Sequence, residues 1–347
     1  VAIQVLSVLA FYFAATVSVV VFASSRIEHY RRQATEARKL GQYVLKERIG
    51  AGGMGEVYRA EHILLRRPCA IKTIRPERAG DRDTLRRFER EVQTTATLTH
   101  PNTVQVFDYG HTADGTFYYV MEYLPGLTLE EVVRRHGTLP PGRAVHFLRQ
   151  VCAALGEAHA RGLTHRDIKP GNVMICERGG IQDVAKVLDF GLVRMSKDDS
   201  DGGTLTRDGA VAGTPAYMSP EQAGGSDGID PRSDIYSVGA VAYFLLTGKP
   251  PFADRSPLKM LAAHLYEAPA GLPSEVPANL AAVVLRCLAK APTERWPDVG
   301  ALDAALAAVS VPPWSPRDAA AWWDRMARPD RETSRAKATA TWAEQLS

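Results

Sequence analysis

The stretch HRDIKPGN, residues 165–172, decides the fold of this chain, together with VLDFG at 187–191. Asp167, Asn172 and Asp189 are hard oxygen donors in one short window, and this chemistry suits Mg²⁺ held between carboxylates and phosphates. Any one of them alone is better explained as a loop-capping residue. The interpretation of these residues therefore depends on the sequence elements that surround this window.

A glycine-rich stretch, GAGGMGEV at 50–57, lies between two predicted strands. Glycines allow a turn to close with its backbone N–H groups facing phosphate oxygens. A Gly-rich hairpin turn without a ligand fits this stretch as well. A dinucleotide-binding turn fits poorly, because Glu56–His62 has a strand pattern where a helix should begin.

Lys72 ends the run CAIK on a predicted strand. A lysine in such an apolar run buries its stem, and its ammonium group then needs an anionic partner. ATP phosphates or a carboxylate of the following helix could supply that charge. Glu89 and Glu91 flank the apolar face of that helix at similar angles, so periodicity alone does not choose between them.

The hydrophobic patterns on either side predict an α+β protein. Short β-type runs separated by one helix extend to about Met121, and mostly helical patterns follow from Leu127 to about Val309. The predicted strands are Tyr43–Ile49, Glu56–His62, Cys69–Ile74, Thr103–Tyr109 and Phe117–Met121, and the helix among them is Asp83–Leu98. The later predicted helices are Arg143–Arg161, Ser233–Leu246, Pro257–Tyr266, Leu280–Leu288 and Asp298–Ala308.

Composition bounds the class of protein. The chain has 347 residues, 45% of them hydrophobic and 23% charged, with a net charge of +3. These values exclude a wholly disordered chain and a disulfide-stapled miniprotein. The charge is too small to indicate a nucleic-acid partner, so none is expected. The four cysteines (Cys69, Cys152, Cys176 and Cys287) are far apart and are predicted to be buried thiols in a reducing compartment.

Residues 1–25 carry no charge and are long enough to cross a bilayer as one helix. A cleaved signal peptide fits less well, because no basic region precedes the apolar stretch and that stretch is too long. Residues 26–42 form a basic juxtamembrane linker. The positive-inside rule then predicts a single-pass protein of the cell membrane whose remaining residues are cytoplasmic.

Taken in chain order, four elements resemble those of the eukaryotic-type protein kinases: the glycine-rich stretch, the CAIK run, HRDIKPGN and VLDFG. The resemblance covers about residues 43–309. The sequences of the motifs MEYLPG, THRDIKPGN and SPEQA are most similar to those of the bacterial serine/threonine kinase group. The resemblance implies a two-lobed fold, with a small β-rich N-lobe containing one long helix and a larger helical C-lobe. The implied ranges are N-lobe 43–121, hinge 122–126, C-lobe 127–309 and a Trp/Ala-rich tail at 310–347.

The resemblance also implies a serine/threonine protein kinase that uses ATP with Mg²⁺, or with Mn²⁺ in its place. Its catalytic residues would be Asp167, which accepts the hydroxyl proton, together with Lys169, Lys72 and Glu91. The metal ligands would be Asn172 and Asp189. The residues expected around ATP are Ile49, Gly50, Ala51, Gly52, Gly53, Met54, Gly55, Val57, Ala70, Lys72, Met121, Glu122, Leu124 and Met174.

Control is expected in the segment from Asp189 to Glu221. Within its polar, Gly-rich part, Thr204 and Thr206 are the candidate phosphorylation sites, and a phosphate on either could pair with Arg166. Autophosphorylation in trans implies a homodimer in the membrane. The other expected partners are protein substrates and, through the N-terminal helix, membrane lipid.

Several neighbouring residues are predicted to be scaffold. Ser219 stands where the family usually has Ala before Pro-Glu, which is a small change. The resemblance implies that Asp234 braces the catalytic loop and that Arg295 pairs with Glu221.

Two other functions are weighed against the kinase. A pseudokinase acting as a membrane-bound binding module should lack one of Lys72, Asp167 or Asp189, and all three are present. A small-molecule kinase is disfavoured because Arg166 and the SPE motif serve the control and recognition of protein substrates.

The tail is rich in tryptophan. Four of the five tryptophans, Trp314, Trp322, Trp323 and Trp342, follow residue 313, and the fifth is Trp296. Exposed linkers rarely hold so many large aromatic residues. Two interpretations remain open: an anchor of the tail on the helical lobe or a partner, and a terminal helix that completes the core.

Overall fold

The computed structural model describes residues 39–52, 55–74, 82–112, 115–190, 215–226 and 228–326. Contacts divide them into two units, the first containing 39–74 and 108–123, and the second 82–107 and 124–326. No helix within the described residues is long and apolar enough to span a membrane. The predicted membrane segment, 1–25, lies outside the described residues.

The first unit contains most of a six-stranded sheet in the order β1-β2-β3-β4-β6-β5. The pairs from β1 to β6 are antiparallel, and the first two residues of β5 belong to the second unit. Buried apolar residues form its core, among them Tyr43, Ala60, Ile71 and Val120. The strands are β1 Lys39–Leu40, β2 Tyr43–Gly52, β3 Gly55–His62, β4 Pro68–Ile74, β5 Val106–His111 and β6 Phe117–Glu122. All five predicted strands are thus present, with shifted ends.

The start of the sheet differs from the prediction. Lys39 and Leu40 fall in the expected linker, yet they pair with Val44 and Tyr43 of β2. Leu40 packs against the cluster around Tyr43. Burial of this one apolar side chain explains why strand pairing includes residues before Tyr43.

The second unit is mainly helical. Its core surrounds two long helices whose inward residues are apolar over most of their length, as in Leu148, Leu155, Ile235 and Leu245. Its helices are α1 Arg82–Ala96, α2 Leu129–His136, α3 Pro141–Ala160, α4 Pro220–Ala223, α5 Arg232–Thr247, α6 Pro257–Tyr266, α7 Ala278–Cys287 and α8 Val299–Ala307. A ninth helix, α9, occupies 316–326.

The second unit also holds a three-stranded sheet that the sequence interpretation missed, in the order β7-β8-β9. Its strands are β7 Gly126–Thr128, β8 Val173–Arg178 and β9 Ile181–Val187. Strand β8 begins directly after Asn172, and β9 ends two residues before Asp189. The sheet therefore carries two of the predicted metal ligands at neighbouring strand ends.

The prediction that the cysteines are buried thiols is confirmed, and the reducing compartment stays a prediction. All four cysteines are free and buried. Burial raises the pKa of the Cys69 thiol to about 11, which makes it a poor nucleophile near neutral pH.

Candidate active site

The side chains of the HRDIKPGN stretch come together at one point of the second unit. Lys169 Nζ lies 2.7 Å from Asp167 Oδ2. Asn172 Nδ2 donates to the same oxygen over 2.9 Å and to the backbone carbonyl of Asp167 over 2.8 Å. A single 3₁₀ turn at Pro170–Asn172 returns the chain over Asp167. The result is a fixed carboxylate of which 19% is still exposed.

The backbone of this loop is held by Asp234, which is fully buried on α5. Its two oxygens accept the N–H groups of His165 and Arg166, each over 2.8 Å. His159, at the end of α3, contacts the same carboxylate at 2.8 Å. Arg166 has a left-handed backbone (φ 67°), which is uncommon without glycine. The bracing role expected for Asp234 is confirmed.

His165 links the catalytic loop to the segment that bears Asp189. Its Nε2 donates to the carbonyl oxygen of Leu188 over 2.7 Å, and its Nδ1 accepts the N–H of Asp167 over 3.2 Å. Its ring also lies 4.7 Å from that of Phe190, which is buried. Two opposite hydrogen bonds fix one tautomer of the imidazole. This histidine therefore positions the loop relative to the segment that bears Asp189.

The donors around Asn172 fit a divalent metal ion. Because Asn172 Nδ2 donates to Asp167, its Oδ1 is the atom left for a metal. The N–H of Leu188 donates to the carbonyl oxygen of Asn172 over 2.9 Å, so Asp189 follows directly on that contact. Within the described ranges no group of three His, Cys, Asp or Glu residues forms a metal cage. An amide and a carboxylate, with phosphates supplying the rest, is the donor set typical of Mg²⁺.

The SPE motif is connected to the catalytic loop through Gln222. Ser219 and Gln222 form a capping box at the start of α4. Gln222 Nε2 also donates to the carbonyl oxygen of Arg166 over 2.7 Å. The sequence interpretation did not single out Gln222, although the S-x-x-Q spacing was visible.

Glu221 forms the expected buried pair with Arg295. The two guanidinium nitrogens donate to its two oxygens over 2.7 and 2.8 Å. Burial raises the pKa of Glu221, but the hydrogen bonds from Arg295 and Ser233 outweigh that effect and leave this pKa below its ordinary value. Ser233 and Arg295 are themselves buried, which confirms a scaffold role.

In the first unit, the glycine-rich stretch is a hairpin closed by the pair Gly52 and Gly55 of β2 and β3. A Cβ atom added to Gly55 would lie 1.8 Å from the carbonyl oxygen of Thr73 on β4. A side chain at this position is therefore excluded by backbone. At Gly50 the same atom would meet only Val57, at 3.7 Å.

Strand register places the expected nucleotide-binding residues on one face of this sheet. Val57 pairs with Lys72 on the neighbouring strand, and Ala70 pairs with Met121. Directly opposed residues in antiparallel strands point to the same side, as do residues two apart. Lys72 is only 9% exposed. An ammonium group beside small apolar positions suits a phosphate tail next to a flat, apolar base.

The remaining predicted residues are distributed as follows. Ile49 and Ala51 are exposed, Glu122 and Leu124 are buried, and Met174 on β8 is half-buried. Gly53, Met54, Thr204 and Thr206 lie outside the described residues.

The choice between two glutamates on α1 stays a prediction. Glu89 and Glu91 are both half-buried, so burial does not separate them. Lys72 belongs to the first unit and Glu91 to the second. The pairing between Lys72 and Glu91 was implied only by the resemblance and is not tested.

Comparison with known proteins agrees with this geometry. A sequence model described as the protein kinase domain matches residues 43–305. The serine/threonine-protein kinase pkn3 of Myxococcus xanthus is 40% identical over 273 residues, which cover 77% of this chain and 50% of the relative. PknB of Mycobacterium tuberculosis is 41% identical over 284 residues, which cover 80% and 44%. The chain thus spans about half the length of the curated relatives it matches.

Among solved structures, the PknI kinase domain of Mycobacterium tuberculosis has a TM-score of 0.59 and 30% identity. The similarity covers 78% of this chain and 96% of that chain. Sequence and structure comparisons each cover more than three quarters of the chain. The chain belongs to the protein kinase family.

Proposed function

We propose that the chain is a serine/threonine protein kinase that transfers the γ-phosphoryl group of ATP to hydroxyl groups of proteins. The observation that carries this proposal is the geometry of Asp167, whose Oδ2 is held by both Lys169 and Asn172. Because both contacts fall on Oδ2, Oδ1 is the oxygen that can accept the proton of an attacking hydroxyl. The two contacts on Oδ2 fix the orientation of the Asp167 carboxylate, as general-base catalysis requires.

The neighbouring residues have complementary tasks. Lys169 neutralises negative charge on the transferring phosphoryl group. Asn172 and Asp189 would hold Mg²⁺ or Mn²⁺, and the bound ion would supply further neutralising charge to the phosphates. Lys72 would hold the α- and β-phosphates. Positioning and electrostatics are together what phosphoryl transfer demands of a protein.

Protein substrates are favoured over small molecules by the structure around Arg166. The Glu221–Arg295 pair and the Gln222 contact with Arg166 connect the SPE segment to the catalytic loop. The relatives named above are serine/threonine-protein kinases. Lys169 in the second position after Asp167 is typical of that class.

The test is a labelled-ATP assay with Mg²⁺ on the purified full chain and a basic protein substrate. Asp167→Asn should lower the rate on the order of 10²–10⁴-fold, through loss of the proton acceptor. Asp303→Asn is the matched control, because it neutralises an exposed carboxylate paired only with Arg149. Wild-type rates in Asp167→Asn would contradict the proposal. Labelling of a small alcohol but of no protein would favour a small-molecule kinase, and no labelling at all would favour a pseudokinase.

We further propose that Thr204, Thr206 or both are autophosphorylated in trans within a homodimer. A phosphate brings nearly two negative charges, and the Arg166 guanidinium is a natural partner for it. Phosphopeptide mapping after incubation with ATP tests the sites. Full activity of the double variant Thr204→Ala/Thr206→Ala would show that this segment is not the switch.

The chain is proposed to be anchored in the cell membrane by residues 1–25, with its kinase domain in the cytoplasm. The support is the uncharged apolar sequence and the arginines that follow it. Resistance of the protein to alkaline extraction from membranes tests the anchor. Protease protection of the kinase domain in inverted vesicles would contradict the proposed orientation.

A further inference from the structure

We propose that residues 312–326, the C-terminal clamp, hold strand β9 in place and thereby position the metal-binding Asp189. The clamp lies beyond the family match, which ends at residue 305. This inference rests on the proposed function only where it assigns Asp189 a metal. Its structural part stands on contacts within the second unit.

The clamp binds to β9 through one carboxylate, that of Asp183, which is 1% exposed. Trp323 Nε1 donates to Oδ1 over 2.7 Å, and Trp314 Nε1 donates to Oδ2 over 2.8 Å. Arg143 donates to both oxygens over 2.9 Å. Each oxygen therefore has two donors, and half of the donors come from the clamp. A buried carboxylate needs this set, because an ionised group without partners is very costly.

Aromatic rings of the clamp also enclose the partner of this carboxylate. Arg143 is 1% exposed, and its guanidinium lies 3.8 Å from the ring centroid of Trp322 and 5.0 Å from that of Trp314. Phe147 of α3 lies on another side, at 5.3 Å. Contacts between cations and aromatic faces are favourable, and more so where water is excluded. The clamp thus covers an ion pair between α3 and β9 that would otherwise face solvent.

The close approach of the clamp depends on a glycine. A Cβ atom at Gly142, in the first turn of α3, would lie 2.0 Å from the carbonyl oxygen of Pro312. Beyond this contact, Ser315 caps α9 through the N–H of Asp318, and Ala319 is buried. The clamp therefore packs against the helical unit, in agreement with both interpretations of the tail. Trp314, Trp322 and Trp323 anchor it there, and α9 completes the core.

Asp183 has an unusual backbone conformation within β9. Its backbone is left-handed (φ 56°), a conformation that aspartate tolerates but does not favour. The carbonyl oxygen of Asp183 accepts from Gln150 Nε2 over 3.0 Å. Further along the strand, the N–H of Val187 donates to Asn102 over 2.8 Å, and Leu188 contacts Asn172 as described. Asp183 fixes one end of β9, and Asp189 follows the other end.

Two sets of variants test the clamp. Trp314→Phe/Trp323→Phe leaves a smaller aromatic ring at both positions and removes the two N–H donors to Asp183. Gly142→Ala leaves every clamp residue and Asp183 unchanged but blocks Pro312. The matched controls are Trp296→Phe, which removes an indole N–H that lies 3.4 Å from the Val283 carbonyl, and Gly156→Ala on the same helix as Gly142, where a Cβ atom would lie 3.8 Å from Val299.

The first measurement is amide hydrogen exchange of the full chain without nucleotide or metal. Both test variants should exchange the amides of residues 184–188 roughly tenfold faster, because local opening no longer has to break the contacts of Asp183. Both controls should retain wild-type exchange there. Unchanged exchange in both test variants would overturn the clamp.

The second measurement is Mn²⁺ binding, followed by the electron paramagnetic resonance of free Mn²⁺ with a non-hydrolysable ATP analogue present. The two test variants should bind Mn²⁺ several-fold more weakly, and Asp189→Asn should lose most of the binding. Faster exchange in β9 with unchanged Mn²⁺ affinity would show a merely structural clamp and would overturn the positioning role. Absence of phosphoryl transfer by the wild type would contradict the proposed function alone, since neither measurement uses transfer.

Discussion

The side-chain amide of Gln222 donates to the carbonyl oxygen of Arg166 over 2.7 Å. The residue before the proposed base is thus connected to the first turn of α4. The opposite end of the same amide accepts from the N–H of Ser219 over 3.0 Å. One side chain therefore has two separable tasks, the cap of a helix and the support of the catalytic loop.

Replacement of Gln222 separates these tasks. Gln222→Glu keeps the acceptor for Ser219 but removes the donor to Arg166, whereas Gln222→Met removes both. We expect Gln222→Glu to lower kcat with little change in KM for ATP, and Gln222→Met to lose in addition about 1–3 kcal/mol of unfolding free energy. Steady-state kinetics and urea unfolding provide the two readouts. Wild-type kcat in Gln222→Glu would show that the contact with Arg166 is dispensable.

Arg295→Met should be strongly destabilising. It removes both guanidinium donors from the largely buried Glu221 carboxylate, and breaking a buried pair in this way costs about 3–5 kcal/mol. The midpoint of urea unfolding measures the loss. Arg255→Met is the matched control, because Arg255 and Glu267 are paired but largely exposed. This control should leave the midpoint unchanged, and equal effects of the two variants would contradict the prediction.

The buried His264 should make the protein less stable in mild acid. Burial, followed by the charge of Lys290, lowers the pKa of His264 from 6.5 to about 4. Between pH 6.5 and about 4 the unfolded chain therefore binds a proton that the folded protein does not bind. Stability falls as the pH falls through this window, by up to ~3 kcal/mol.

His264→Gln isolates this contribution from the carboxylates that titrate in the same range. The variant can still contact the Tyr236 hydroxyl, which lies 2.8 Å from His264 Nδ1. The unfolding free energy of the wild type minus that of the variant should fall as the pH falls from 6.5 to 4, because only the wild type loses the contribution of His264. A difference independent of pH would contradict the assignment.

Gly55→Ala should weaken ATP binding. The added methyl group has no space beside the Thr73 carbonyl, so the hairpin must shift, at a cost typical of overpacking. We expect a roughly tenfold rise in KM for ATP, with a smaller effect on the protein substrate. Gly50→Ala, whose methyl group meets only ordinary contacts, should leave KM for ATP nearly unchanged. A similar rise in both variants would contradict the steric explanation.

The parts of the site that are local in sequence could be predicted. Asp167 and Asn172 are five residues apart, and the turn between them depends on Pro170 and Gly171. Strand positions such as that of Lys72 could also be predicted, because alternation of residue types is a local pattern. The resemblance to a family then assigned roles that periodicity could not assign.

The parts that depend on distant partners were missed. The pairing of β7 with β8 connects residues far apart in the sequence, and both strands are short. One local signal was available: Gly179 and Gly180 both have positive φ, and Arg178 pairs with Ile181. A Gly-Gly pair between two apolar runs is a known hairpin signal. The contacts of Gln222 and Asp183 are tertiary, and no periodicity shows them.

The clamp contains most of the described tryptophans and therefore determines what tryptophan fluorescence reports. Trp314, Trp322 and Trp323 lie within it, and the other described tryptophan, Trp296, packs against Arg286 at 4.0 Å on the same unit. The fluorescence of the four described tryptophans therefore reports on the second unit and mostly on its C-terminal edge. Far-ultraviolet circular dichroism averages over all helices instead. An emission change that precedes the loss of ellipticity during heating would mark the departure of α9 before the helical core melts.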